Sequence, residues 1–257
     1  MKQFTFLALL AFALFRSQAQ DTTWLTRGEL ARTSAEKINC YTRSLETEGE
    51  SVEALFSRAA AYQETGNFAG AVEDYSRIIA LDSSDAGSFY TRGFVRQFFV
   101  HDYPGAYADF SAAFVRDTSN AYYMLLAGFS ASILKDYPAA IGCFQKSVNA
   151  VRNGQSTMIN LGAVTMSRNS GKSGDKSALA LMTLCDYMPT DLNDTWLGLA
   201  SAELFSGHRD LALKYLKEVT LDKALIRHMI VWFKPCDHDA ASVEKNNKML
   251  SQLAAEL

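Results

Sequence analysis

Proline is scarce, at four residues in 257. Proline breaks helix interiors, so its near absence leaves the chain free to run in long helices. Cysteine is equally rare. Cys40, Cys143, Cys185 and Cys236 stand at long, irregular spacings with no C-x-x-C, which argues against a thiol-based metal or redox motif. An even count permits disulfides, but spacing assigns none, and the expectation is four mostly buried thiols. No apolar run reaches the ~20 residues that a membrane-spanning helix needs. Catalytic signatures are also missing: there is no G-x-S-x-G and no H-E-x-x-H. His101, His208, His228 and His238 are far apart in sequence and fall in no recognisable catalytic motif. Basic residues are outnumbered, 25 against 28, giving a formal charge of −3. An acidic chain is a poor binder of polyanions, which argues against nucleic acid as a partner.

What is present begins with MKQFTFLALLAFALFRSQAQ. Lys2 is a small basic start, Phe4 to Phe15 an apolar run, and Ser17-Gln18-Ala19 supplies small residues before a cut at Gln20. This is the pattern of a secretory signal peptide over 1–19, so an exported, periplasmic or secreted protein is expected. Its removal takes Lys2 and Arg16 and no acidic residue, making the remainder more acidic. Hydrophobic residues make up 48% and charged residues 21% of the chain, enough to bury a core.

The chain repeats itself. Five segments align on one alanine, Ala71, Ala106, Ala140, Ala178 and Ala212, at steps of 35, 34, 38 and 34 residues. Each has an earlier small residue: Ala59, Gly93, Gly128, Gly162 and Ala200. The two small positions lie 12, 13, 12, 16 and 12 residues apart. Large residues follow the alanine by four (Tyr75, Phe110, Phe144, Met182, Leu216) and precede the early small position by four (Leu55, Phe89, Met124, Met158, Trp196). Two antiparallel helices approach closely only where side chains are small, and the large residues around those points fill the space to the next pair.

This register resembles the tetratricopeptide repeat, a helix–turn–helix unit of about 34 residues. The clearest copy runs from Val52 to Asp82, with Ala59, Tyr62, Gly66, Phe68, Ala71 and Tyr75 at the family's small, aromatic and turn positions. The resemblance implies an all-α, right-handed α-solenoid of about five repeats, with copies near 52–85, 86–120, 121–154, 155–192 and 193–222. Residues 20–50 form an N-terminal lead and capping helix, with Ile38, Tyr41 and Leu45 on one face. Residues 223–257 form C-terminal capping helices, in which Pro235 ends the first and Asp237 or Asp239 caps the second. KALIRHMIVWFK is weakly charged and is read as cap, not as a membrane-surface helix.

Within this frame, Arg58 and Asp74 occupy unit positions 7 and 23 of the first copy, and Arg92 and Asp109 those of the second. The third copy has Ala127 and Cys143 there, both uncharged. The joint change points to structural ion pairs between packed helices, within a copy or to the next one. SGKSGDKS, residues 170–177, imitates the tail of a phosphate-binding loop, but Met166 stands where that loop needs its first glycine. It is read as a turn that has gained four residues, and no nucleotide is expected.

The resemblance also implies a concave groove lined by the first helix of each pair. Its expected binding residues are Phe56, Gln63, Tyr90, Phe94, Gln97, Tyr122, Leu125 and Phe129, an aromatic and apolar set with no Lys/Arg clamp for a terminal carboxylate. Exposed apolar clusters with polar rims mark binding surfaces. The function expected is a non-catalytic scaffold or adaptor of the cell envelope that holds a peptide or protein partner, without cofactor, metal or catalytic residues. The alternatives are an enzyme or carbohydrate-handling protein on the same helices, or a structural spacer.

Overall fold

A computed structural model describes residues 23–155, 192–221, 223–230 and 240–256. The expected signal peptide, most of the fourth copy with SGKSGDKS, Cys185 and Cys236, Pro235 and the caps at Asp237 or Asp239 lie outside these residues. Twelve α-helices and no strand occur among the described residues. They divide between two compact units, 1–83 and 84–257.

The first unit holds α1 (Trp24–Leu30), α2 (Ser34–Thr47), α3 (Val52–Glu64) and α4 (Phe68–Leu81). Each helix packs on the next. Their starts are written in the sequence. Thr33 and Glu36 form a reciprocal capping box on α2, and Ser51 caps α3 by accepting the Ala54 N–H. Where a single capping helix was expected before the first repeat, there are two. Tyr41 lies against the Cα of Gly28, where an added Cβ would stand 2.3 Å from its ring. The leading pair thus has its own contact of a small residue with an aromatic ring.

The second unit begins with α5 (Ala86–Val95), which continues as a π-helical turn, Arg96–Val100. Then come α6 (Tyr103–Arg116), α7 (Tyr122–Ile133), α8 (Tyr137–Arg152), α9 (Leu192–Phe205), α10 (Arg209–Leu216), α11 (Lys223–Met229) and α12 (Ala240–Ala255). Consecutive helices from α5 to α10 pack pairwise, α12 packs on α10 and α11, and Asn246, Leu250, Leu253 and Ala254 are its buried residues. Helix α9 packs directly on α8, and also on α7. The third and fifth copies of the sequence register are therefore in contact, as neighbouring copies of a stack are. Phe144 sits at that contact, beneath Gly128 and Gly198.

One turn joins the two helices of every described copy. A residue with positive φ (Gly66, His101, Lys135 or Gly207) is followed by an N-capping Asn, Asp or His. In three copies the N–H of the capping residue reaches back five positions: Asn67 to Tyr62, Asp136 to Ala131 and His208 to Glu203. In the second copy Asp102 reaches back six, to Arg96, at 2.9 Å. The 13-residue gap between Gly93 and Ala106 is thereby explained: the extra residue is wound into the π turn, which lengthens the backbone reach by one, and the positive-φ residue and N-capping Asp keep their places.

Candidate functional site

The first helix of the second copy starts at Asp85, whose carboxylate accepts the N–H groups of Gly87 and Ser88. It places Phe94, Phe98 and Phe99 around the π turn, all half-buried. The Phe94 ring lies 4.7 Å from Phe98 and 6.1 Å from Phe99, centroid to centroid. The turn is tied to α7 by a buried hydrogen bond, in which the Ser130 hydroxyl donates to Gln97 Oε1 at 2.7 Å. Phe98 follows one partner of that bond and Phe129, half-buried, precedes the other. Helix α7 itself, YYMLLAGFSASI, contains no charged residue. Phe94, Phe98 and Phe99 form an aromatic strip at the π turn, and Phe129 stands half-buried on the uncharged helix to which the turn is tied.

The expected groove set divides. Phe94 belongs to the strip, and Phe129 is half-buried on α7. In the first unit, Phe56 is 45% exposed and meets Tyr75 edge-on at 5.8 Å. The Gln63 amide donates to the Tyr75 hydroxyl at 2.9 Å. Tyr90, Gln97, Tyr122 and Leu125 require correction, because they are buried. Helix α7 is covered by α6, α8 and α9, which leaves Tyr122 and Leu125 no solvent side. The Tyr90 ring lies within 5.6–6.4 Å of Phe94, Phe110, Tyr122 and Tyr123. These residues build the wall behind the strip. Phe98 and Phe99 were missed, since an ordinary helix of 12-residue spacing turns them to other faces. The 13-residue gap was the available signal.

The charged residues serve the frame. Arg58 binds Asp74 in a two-pronged pair, Nε to Oδ2 at 2.8 Å and Nη2 to Oδ1 at 2.6 Å, and adds Thr42 of α2 at 3.1 Å. Hydrogen bonding to Asp74 raises the Arg58 pKa and keeps it charged. Arg92 grips Asp109 in the same way, at 3.0 and 2.6 Å, and Arg96 joins at 2.9 Å. Both pairs run between the two helices of one copy. In the third copy Cys143 is buried and hydrogen-bonds Tyr107 of α6, and burial pushes its thiol pKa up. Among the described residues, no three His, Cys, Asp or Glu side chains converge as a metal site. None of the described helices is long and apolar enough to cross a membrane.

No protein-family model matches the sequence, and no curated protein matches it. Among solved structures, a crystal structure of MamA is 18% identical, with a TM-score of 0.54 over 76% of this chain and 87% of that one. A second MamA structure gives 18% identity and a TM-score of 0.51 over 72% and 86%. A tetratricopeptide repeat protein from Parabacteroides merdae is 13% identical over 94% of this chain and 89% of its own, with a TM-score of 0.43. MamA is itself a tetratricopeptide-repeat protein. The chain has the tetratricopeptide-repeat fold. In that fold the small residues at helix crossings, the aromatic following the alanine and the glycine-type turn have their structural reasons here. The half-buried strip Phe94, Phe98 and Phe99, and Phe129 on α7, are not accounted for by those crossings and turns.

Proposed function

We propose that the chain is a non-catalytic interaction scaffold of the cell envelope, and that the strip Phe94, Phe98 and Phe99, together with Phe129 of α7, holds an apolar segment of a protein partner. The observation that carries this reading is the grouping of half-buried aromatic rings around a π turn, beside a helix with no charge. Aromatic side chains are the preferred anchors of protein interfaces, because they bury large area at low entropic cost. π turns recur at functional positions. The buried Gln97–Ser130 hydrogen bond ties the π turn to α7, so little ordering is needed on binding. Export rests on the pattern of residues 1–19, and the mass of the exported protein tests it: loss of residues 1–19 is expected, and an intact start is the contrary result.

The binding reading is tested by capture from an envelope extract with the wild-type chain and with Phe94→Glu/Phe129→Glu, after both show the same helical circular dichroism. A partner retained by the wild type and lost by the variant supports it. An unchanged set of retained proteins overturns it.

A further inference from the structure

In the first, third and fifth copies, one junction is formed by unit position 7 on the first helix, unit position 23 on the second helix, and a second helix of a neighbouring pair. In the first copy Arg58 fills it, reaching Asp74 on its own partner helix and Thr42 on α2. In the third copy Ala127 and Cys143 close it with the Tyr107 hydroxyl from α6. In the fifth copy the two positions are Leu199 and Tyr215, and the neighbouring second helix is α8. There the junction is an open cavity of about 240 Å³.

The cavity has a graded lining. Val148, Leu199 and Trp196 are its buried apolar residues. Tyr215 is half-buried and stacks on Trp196, with centroids 5.8 Å apart and planes 22° from parallel. Gln145 and Asn149 are exposed and supply amide donors and acceptors at the rim. Arg152 lies over the Trp196 ring at 4.7 Å and is paired with Glu218, so its charge is already answered. A dry cavity of about 150 Å³ accepts benzene, so this volume suits one ring with a small substituent and is too small for a drug-sized ligand. Aromatic walls favour an aromatic ring, and the amide rim favours a polar substituent without net charge.

We infer that the junction between α8, α9 and α10 is a binding pocket for a single uncharged aromatic ring with a hydrogen-bonding substituent, such as a phenol. The ring comes either from a free small molecule or from a tyrosine side chain of a bound peptide. The pocket shares no residue with the aromatic strip, so its fate is independent of the strip's.

The test is ¹H–¹⁵N NMR of the full chain titrated with 4-methylphenol, with N-acetyltyrosinamide, and with benzoate as a charged control. The expected result is saturable shifts of the Gln145 and Asn149 amides and the Trp196 indole, with Kd on the order of 1 mM for the phenols. Benzoate should bind at least ~10-fold more weakly, because its charge stays uncompensated. Tighter binding of 4-methylphenol assigns the pocket to a free molecule, and tighter binding of the amide to a side chain. Leu199→Arg/Tyr215→Asp, which installs the pair found in the first two copies, should fold and lose the phenol shifts. If that variant fails to fold, intermolecular NOEs from 4-methylphenol to Leu199 and Trp196 in the wild type decide. Their absence, no saturable shift, or equal binding by a folded variant overturns the inference.

Discussion

The Phe144 Cζ lies 2.6 Å from the point where a Cβ would stand on Gly198. Its Cε1 lies 2.5 Å from the same point on Gly128. One ring thus holds two helices at a spacing that only glycine permits. Gly128→Ala and Gly198→Ala should each cost about 1–3 kcal/mol through overpacking. Because both act on Phe144, the double variant should depart from additivity. Urea denaturation of the four proteins checks this. Strict additivity, or no loss at Gly198, would contradict a shared contact.

The pair Arg58–Asp74 has little solvent access, at 11% and 2% of the side chains. Asp74→Ala leaves a guanidinium without its carboxylate and should cost about 3–5 kcal/mol. Arg58→Ala/Asp74→Cys, which copies the residues of the third copy, removes both charges and should cost less than the single change. Equal melting temperatures for wild type and Asp74→Ala would end the pairing account.

His101 and Lys135 have φ of 59° and 60° in turns where the first and fifth copies have glycine. A left-handed conformation costs a side-chain-bearing residue about 1–3 kcal/mol, partly offset by the greater freedom glycine loses on folding. Lys135→Gly should therefore stabilise by about 0.5–1 kcal/mol. His101→Gly should gain less, because the imidazole Nδ1 lies 3.2 Å from the Tyr103 hydroxyl, within hydrogen-bonding distance. Denaturant midpoints give both values, and a loss at Lys135 would show that another contact outweighs the backbone.

Burial raises the phenol pKa of Tyr75 and Tyr122, and pushes that of Tyr123 up to about 12. An unfolded tyrosine ionises near pH 10. The folded state keeps these groups neutral, so the stability they contribute is complete below about pH 10 and is lost as pH rises toward the folded values. The urea midpoint should hold steady from pH 8 to about 9.5 and then fall, with a late, cooperative rise in tyrosinate absorbance. A single titration of all tyrosines near pH 10 with no loss of stability would contradict the burial.

Much of this was readable from residue order. The small positions are the helix crossings, and the joint change of Arg58 with Asp74 and of Arg92 with Asp109 is a change of facing side chains. Other features were not readable, for physical reasons. Helix α7 is apolar on every side, so its sequence cannot show that Tyr122 and Leu125 face neighbouring helices while Phe129 keeps a partly exposed ring. The 13-residue gap announced an extra residue but not whether turn or helix would absorb it. Contact between α8 and α9 spans 39 residues of chain, beyond any local pattern. The helix at Trp24–Leu30 is only seven residues long, too short for a clear periodic signal.

The strip is tested most directly by photo-crosslinking in intact cells, with benzoylphenylalanine placed at Phe98, at Phe129 and, as a control, at Val115. Val115 lies on α6 and is 77% exposed, so it is freely accessible without belonging to the strip. The expected result is an adduct of one common mass from positions 98 and 129 and none from 115. No adduct from 98 and 129, or the same adduct from 115, would contradict the aromatic strip as the partner's seat.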